Sequence, residues 1–339
     1  MEYNFPKTDL HFHLDGSMIP ETTWKLAKER GIKLPADNLE DFKQFLRDTA
    51  NCGDVYEYLA RFDMPTEILQ DRDALYETTY ETIRECVRIG YAYVEIRFAP
   101  QLHILRGMSQ EDAIKAVLDA KFAAEKDFPS IRIGIILCCM IVPNNTNREL
   151  NFETVRLCEE YLGKGVVALD LAGPEDVVPM TEYAELFVDY HKKGLPMTLH
   201  AGDNGIPQNV ATVIDYGATR VGHGHHCYYD KDVLQKVIDT GTTLEICLSS
   251  NIQCKTEPSF EEHPAKKLFD MGVRIALCTD NMVFSDITIN DEYDHAINEV
   301  GFSYNDVIQT NIYAIEASFM PEEDKAPYIE KLKSCFVKE

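Results

Sequence analysis

Nowhere in the 339 residues is there an apolar stretch approaching the roughly 20 residues that a membrane-crossing helix needs. Residues 1–15 also lack the basic-then-apolar pattern of a secretion signal, so a soluble, unsecreted, cytoplasmic protein with no membrane partner is expected. Positive charge is scarce: 33 Lys and Arg stand against 57 Asp and Glu, a formal net charge of −24. Such a surface repels polyanions, which excludes nucleic acid as a partner and favours a neutral or cationic small molecule. The ten cysteines contain no C-x-x-C pair and no small-scaffold spacing, so a disulfide framework is not expected. Cys138, Cys139, Cys247 and Cys278 lie instead inside apolar, β-like runs, where free cysteine acts as a small buried hydrophobe. Missing too are the G-x-x-x-x-G-K-[ST] phosphate loop, the H-E-x-x-H helix of zinc proteases and the H-x-E…P-C-x-x-C pattern of cytidine-type deaminases. Gly222-His223-Gly224 is too short for a dinucleotide fingerprint, so no nicotinamide cofactor is implied. No Gly/Ser-rich linker, low-complexity tract or internal repeat marks a boundary, and residues 1–339 read as a single domain.

What is present is an alternation. Eight short runs rich in β-branched residues fall at 8–13, 92–98, 131–137, 166–171, 197–200, 219–223, 243–247 and 273–278. Longer amphipathic stretches, such as 72–89, 111–125 and 181–192, separate them. Strand-then-helix repeated eight times closes a parallel barrel, so a TIM-type (β/α)8 fold is expected. Between the first and second runs lies a long insertion, about 20–90, in which residues 54–67 are placed as a lid over the barrel mouth. Helical patterns at 286–337 follow the eighth strand and should pack outside the barrel.

Barrel enzymes carry their chemistry at the carboxyl ends of the strands. Here the first strand ends in His11-Phe12-His13, the fifth in His200, the sixth in His223 and the eighth in Asp280. Alternation along a strand turns His11 and His13 to one face, where both imidazoles can reach one ion. Imidazole nitrogen with carboxylate oxygen suits zinc, and a site that keeps one position for water is the catalytic kind. His103, His191, His225, His226, His263 and His295 show no comparable convergence and are read as structural.

These residues resemble one family over essentially the whole chain, the adenosine deaminases of the metal-dependent hydrolase superfamily. The similarity runs through KTDLHFHLDG at 7–16, LARFD at 59–63, YVEIRFAP at 93–100 and VVALDLAG at 166–173. It continues through HAG at 200–202, VGHGHH at 221–226, EIC at 245–247 and TDN at 279–281. The resemblance implies one Zn²⁺ per chain held by His11, His13, His200 and Asp280, with His223 and Asp280 orienting and deprotonating a water that attacks the purine carbon bearing the amine. It further implies proton donation to the neighbouring ring nitrogen from position 203 and a hydrogen bond from the Gly173 backbone to another ring nitrogen. Asp15 would take a ribose hydroxyl, His13 would border the substrate, and Leu59 and Phe62 would form an apolar cover. The expected reaction is deamination of adenosine or 2′-deoxyadenosine, with a purine nucleoside as the small-molecule partner.

Two positions depart from the family pattern. The usual H-A-G-E reads His200-Ala201-Gly202-Asp203, one methylene short, which by itself withdraws the carboxyl by roughly 1 Å and costs on the order of 10²-fold in rate unless the pocket compensates. Asn281 stands where many relatives carry a second Asp, and its amide can donate to an unprotonated ring nitrogen. The alternatives are therefore another aminated purine, such as adenine or an N6-modified nucleoside, and a nucleoside-binding protein with weak activity. Asp15, where relatives acting on free adenine tend to carry Glu, leaves room for a sugar.

Overall fold

The computed structural model describes residues 3–337. Eight parallel strands run in chain order: β1 Lys7–His13, β2 Tyr91–Phe98, β3 Arg132–Met140, β4 Val166–Ala172, β5 Thr198–Ala201, β6 Arg220–His223, β7 Thr243–Ile246 and β8 Arg274–Leu277. Two four-stranded ladders, β1–β4 and β5–β8, are joined by Leu169 opposite Met197 and by Phe12 opposite Asp280. At the second seam the His13 N–H donates to the Asp280 carbonyl at 2.8 Å and the Asp280 N–H to the His11 carbonyl at 2.9 Å. The ring is thereby closed as a (β/α)8 barrel with no free sheet edge.

Local chemistry explains the connections. The helix Arg72–Ile89 starts on an Asp71 side chain that accepts the Ala74 N–H and stops at Gly90. Gly90 has φ 93°, which only glycine takes cheaply, and β2 begins at the next residue. Capping boxes at Ser109/Asp112 and Ser303/Asp306 start the helices Gln110–Asp127 and Tyr304–Ala317 in the same manner. One buried apolar cluster takes in residues from Tyr3 to Leu332, including the helices that follow β8.

Strand ends fall within one residue of the expected runs except at β3, which continues to Met140, and Asp280, expected at the end of the eighth strand, lies off it. β8 stops at Leu277, and Asp280 lies three residues beyond it, on left-handed backbone with φ 61°. The run 273–278 is apolar enough to read as strand throughout. Pairing to Phe12 and the Asp9 carboxylate, which accepts both the N–H and the hydroxyl of Thr279, pulls the chain across toward β1 instead.

Candidate active site

At the barrel mouth the Nε2 of His13 lies 3.3 Å from His11 Nε2, 3.2 Å from His200 Nε2 and 3.4 Å from Asp280 Oδ1. His11 Nε2 is 3.6 Å from the same carboxylate oxygen. Ligands held about 2.0–2.1 Å from a tetrahedral ion sit about 3.3–3.4 Å from one another, so these separations fit a small divalent cation. Proton accounting agrees. The Nδ1–H of His11 donates to Glu245 Oε2 at 2.9 Å and that of His200 to Asp170 Oδ1 at 3.1 Å, leaving both Nε2 atoms as bare lone pairs. A proton on His13 Nε2 could satisfy one neighbour only, whereas a cation satisfies all four atoms. Burial, then the nearby imidazoles and the Arg97 guanidinium, hold His11 and His13 well below the usual imidazole range, in the neutral form that metals bind.

The carboxylates that orient these rings are themselves fixed from below. Arg97, fully buried on β2, donates to Asp170 Oδ2 at 2.9 Å, to Glu245 Oε2 at 2.7 Å and to the Leu10 carbonyl at 2.6 Å. Glu245 is completed by Thr198 at 2.7 Å and Arg220 at 2.8 Å. The layer beneath the imidazoles is thus ionic rather than apolar, each charge facing one of opposite sign. Sequence reasoning assigned no role to Arg97, Asp170 or Glu245, although each is a charged residue inside an otherwise apolar strand.

Asp203 and His223 face each other with His223 Nδ1 3.7 Å from Asp203 Oδ1. Their orientation is set by a chain of donors that the sequence did not disclose. The Ala265 N–H donates to His263 Nδ1 at 3.1 Å, so the remaining ring proton sits on Nε2 and is given to Asn251 Oδ1 at 3.2 Å. That orients the Asn251 amide, whose Nδ2 donates to Asp203 Oδ1 at 2.7 Å and to His223 Nδ1 at 3.2 Å. His223 is therefore assigned as the tautomer with its proton on Nε2. His263, expected to be structural, belongs to this relay. Thr256 adds a second donor to Asp203 Oδ1 at 3.2 Å. The backbone beneath is clamped, since the Glu175 carboxylate accepts the N–H of Gly202, Asp203 and Asn204 at 2.8, 2.8 and 2.6 Å. His223, like Asp280, has a positive φ, 60°, a conformation that costs a non-glycine residue on the order of 1 kcal/mol and collects at functional sites.

Above these groups is a cavity of about 240 Å³ lined by His13, Asp15, Gly173, His200, Asp203, His223, Asp280 and Asn281, with Leu59 and Phe62 over it. His11 lies beneath, fully buried. Asp280 Oδ2 accepts the Ser250 hydroxyl at 2.6 Å, and burial raises the Asp280 carboxyl above the usual range. The Asn281 amide donates one hydrogen to Asp280 Oδ1 at 2.6 Å, while its own oxygen packs so tightly on Gly16 that a Cβ there would fall 1.8 Å away. Gly173 has φ 119°, and a Cβ would meet the Ile141 carbonyl oxygen at 2.7 Å, so no other residue fits.

The segment expected to form a lid does cover this cavity, as the helices Val55–Ala60 and Asp63–Ile68. Asp54 caps the first through the N–H groups of Tyr56 and Glu57. Tethers reach both rims: Tyr58 to Ser285 at 3.0 Å and Arg61 to the Phe284 carbonyl at 2.8 Å on one, Tyr56 to Asp176 at 2.7 Å on the other.

Histidines and a carboxylate gathered at the mouth of a closed parallel barrel, with a covered cavity above them, define a metal-dependent barrel hydrolase. More narrowly, the chain belongs to the adenosine deaminase family, whose model, described as Adenosine deaminase, matches residues 6–335, and it is an aminohydrolase. It is 38% identical over 320 residues to an adenosine deaminase of Haemophilus ducreyi, covering 94% of this chain and 92% of that protein. Among solved structures, the N6-mAMP deaminase of Arabidopsis is similar with a TM-score of 0.85 at 25% identity, covering 98% of both chains. An amidohydrolase from Burkholderia ambifaria with bound zinc shares the fold, with a TM-score of 0.85 at 20% identity over 97% of this chain and 90% of that one.

Proposed function

We propose that this chain catalyses the zinc-dependent hydrolytic deamination of adenosine and 2′-deoxyadenosine to inosine or 2′-deoxyinosine and ammonia. The catalytic zinc would be held by His11, His13, His200 and Asp280, and the reading rests on His13 Nε2 lying 3.2–3.4 Å from His11 Nε2, His200 Nε2 and Asp280 Oδ1, with His11 Nε2 3.6 Å from the same carboxylate oxygen. Bound there, zinc supplies the Lewis acidity that makes water a usable nucleophile near neutral pH.

Every other step is carried by side chains. Asp280, its Oδ2 steadied by Ser250, takes one proton from the attacking water. His223, protonated on Nε2 by the relay above, donates a hydrogen bond to the attacking oxygen as charge develops. Asp203 gives a proton to the ring nitrogen beside the carbon under attack, because addition places negative charge there. The proton on Asp280 passes to the amine, which departs as ammonia, and the hydroxyl proton of the adduct restores Asp203 as the carbonyl forms. Gly173 holds a second ring nitrogen through its N–H, Asn281 offers its remaining amide hydrogen, Asp15 accepts from a ribose hydroxyl, and Leu59 and Phe62 exclude solvent.

The lining favours a nucleoside over a nucleotide: it contains no Lys or Arg, and Asp15 would repel a phosphate. The shortened Asp203 favours a second reading, in which the preferred substrate is adenine or an N6-modified nucleoside or the protein binds nucleosides with weak turnover. Zinc-loaded protein incubated with adenosine, deoxyadenosine, adenine, N6-methyladenosine and AMP, followed by ultraviolet absorbance, decides between them. Absence of turnover of adenosine with zinc confirmed bound would sink the primary reading. All ten cysteines are unpaired, which suits the reducing cytoplasm, where we place this protein. The large buried cluster that runs from Tyr3 to Leu332 supports treating the chain, residues 1–339, as one domain.

A further inference from the structure

Behind Asp203, outside the catalytic cavity, a second group of metal-type ligands comes together. His225, His226 and Glu257 each offer a ligand atom within 4.8 Å of the others. His225 is fully buried, yet neither of its ring nitrogens has a hydrogen-bond partner, and its Nε2 stands 3.6 Å from Glu257 Oε1, beyond hydrogen-bond length. Burying an imidazole with both nitrogens unsatisfied costs on the order of 1–3 kcal/mol per polar atom, so the arrangement calls for a ligand. His226 donates through Nδ1 to the Gly202 carbonyl at 3.0 Å, which leaves Nε2 as a free lone pair. Glu257 is 2% exposed and is steadied by the Tyr229 hydroxyl at 3.1 Å. Tyr229, 57% exposed, and the partly exposed His226 mark the route from solvent.

We infer that His225, His226 and Glu257 form a second divalent transition-metal site, of zinc-binding chemistry, distinct from the one at the strand ends. Two imidazoles and a carboxylate are a zinc-type set, with a fourth position left to water. The site touches the proposed acid from two sides: His226 holds the carbonyl of Gly202, and Glu257 follows Thr256, the second donor to Asp203.

Metal-stripped full-length protein dialysed against Zn²⁺ and measured by elemental analysis should hold two equivalents, and Glu257→Gln one. A single equivalent in the unaltered chain, or two persisting in E257Q, overturns the inference. A separate His11→Ala variant should keep the second equivalent while losing the first. Should the strand-end ion be absent while the E257-dependent one is bound, the proposed function fails and this inference stands. Cobalt titration of the unaltered chain, read from visible absorption, provides a check if E257Q does not fold: two sequential spectral transitions are expected, and a single one refutes the site.

Discussion

Replacing Asp203 with Asn tests the proposed acid with the least disturbance to shape. The Asn oxygen can still accept from Asn251 and Thr256, now at 2.7 and 3.2 Å from Oδ1, and the Glu175 clamp on the backbone is unaltered. What is lost is the proton. A positioned acid contributes about 10²–10⁴ in rate, or about 2.7–5.5 kcal/mol of barrier, so kcat/KM for adenosine should fall by that factor with zinc content and melting temperature unchanged. Asp203→Glu probes placement. With three backbone N–H groups pinned on Glu175, the chain cannot recede to absorb an extra methylene, so the longer side chain forfeits both hydrogen bonds to Oδ1. Two hydrogen bonds, each worth about 0.5–1.5 kcal/mol net, hold the native carboxyl in place, and we expect D203E to lose about 10-fold or more. Both variants are assayed by steady-state loss of adenosine absorbance. A D203N enzyme within 10-fold of the parent refutes Asp203 as the acid. A D203E enzyme faster than the parent refutes a pocket built around Asp.

Arg97→Met would leave Asp170 and Glu245 buried beneath the imidazoles without this counter-charge, costing about 3–5 kcal/mol, and urea denaturation should show it; a loss below 1 kcal/mol would mean the ionic layer is not structural. Burial pushes the Glu292 carboxyl up to about 7 even though it accepts the Leu248 and Ser249 N–H groups. A raised carboxyl contributes stability that is fully present below the unfolded value of about 4.5 and lost as pH rises through 7, so parent stability relative to Glu292→Gln should fall by about 3 kcal/mol between pH 4.5 and 8. A pH-independent difference between the two proteins would contradict the assignment. Because the cavity lining contains no Lys or Arg and holds Asp15, kcat/KM for AMP should lie at least about 100-fold below that for adenosine, and Asp15→Asn should narrow the gap; equal turnover of AMP and adenosine would refute this.

Much of the barrel was legible because its signals are local. Period-two apolar runs, the stop at Gly90, and the placing of His11, His13, His200 and His223 at strand ends need only neighbours within a turn or two. Arg97, Asp170 and Glu245 could have been noticed as charges within apolar strands, but not paired. Their partners lie 73 and 148 residues apart and meet only when the ring closes.

The sequence by itself determined the order of strands and helices and which side chains could serve as ligands, since both follow from backbone periodicity and side-chain type. Only the tertiary structure decided where Asp280 would sit, for its left-handed turn is imposed by pairing to β1 at the far end of the chain. It alone set the tautomer of His223, which depends on a relay through Asn251 and His263 from separate segments of the chain. It also brought His225 beside Glu257, a meeting no spacing announces, because burial and proton placement depend on everything packed around a group rather than on its neighbours in sequence.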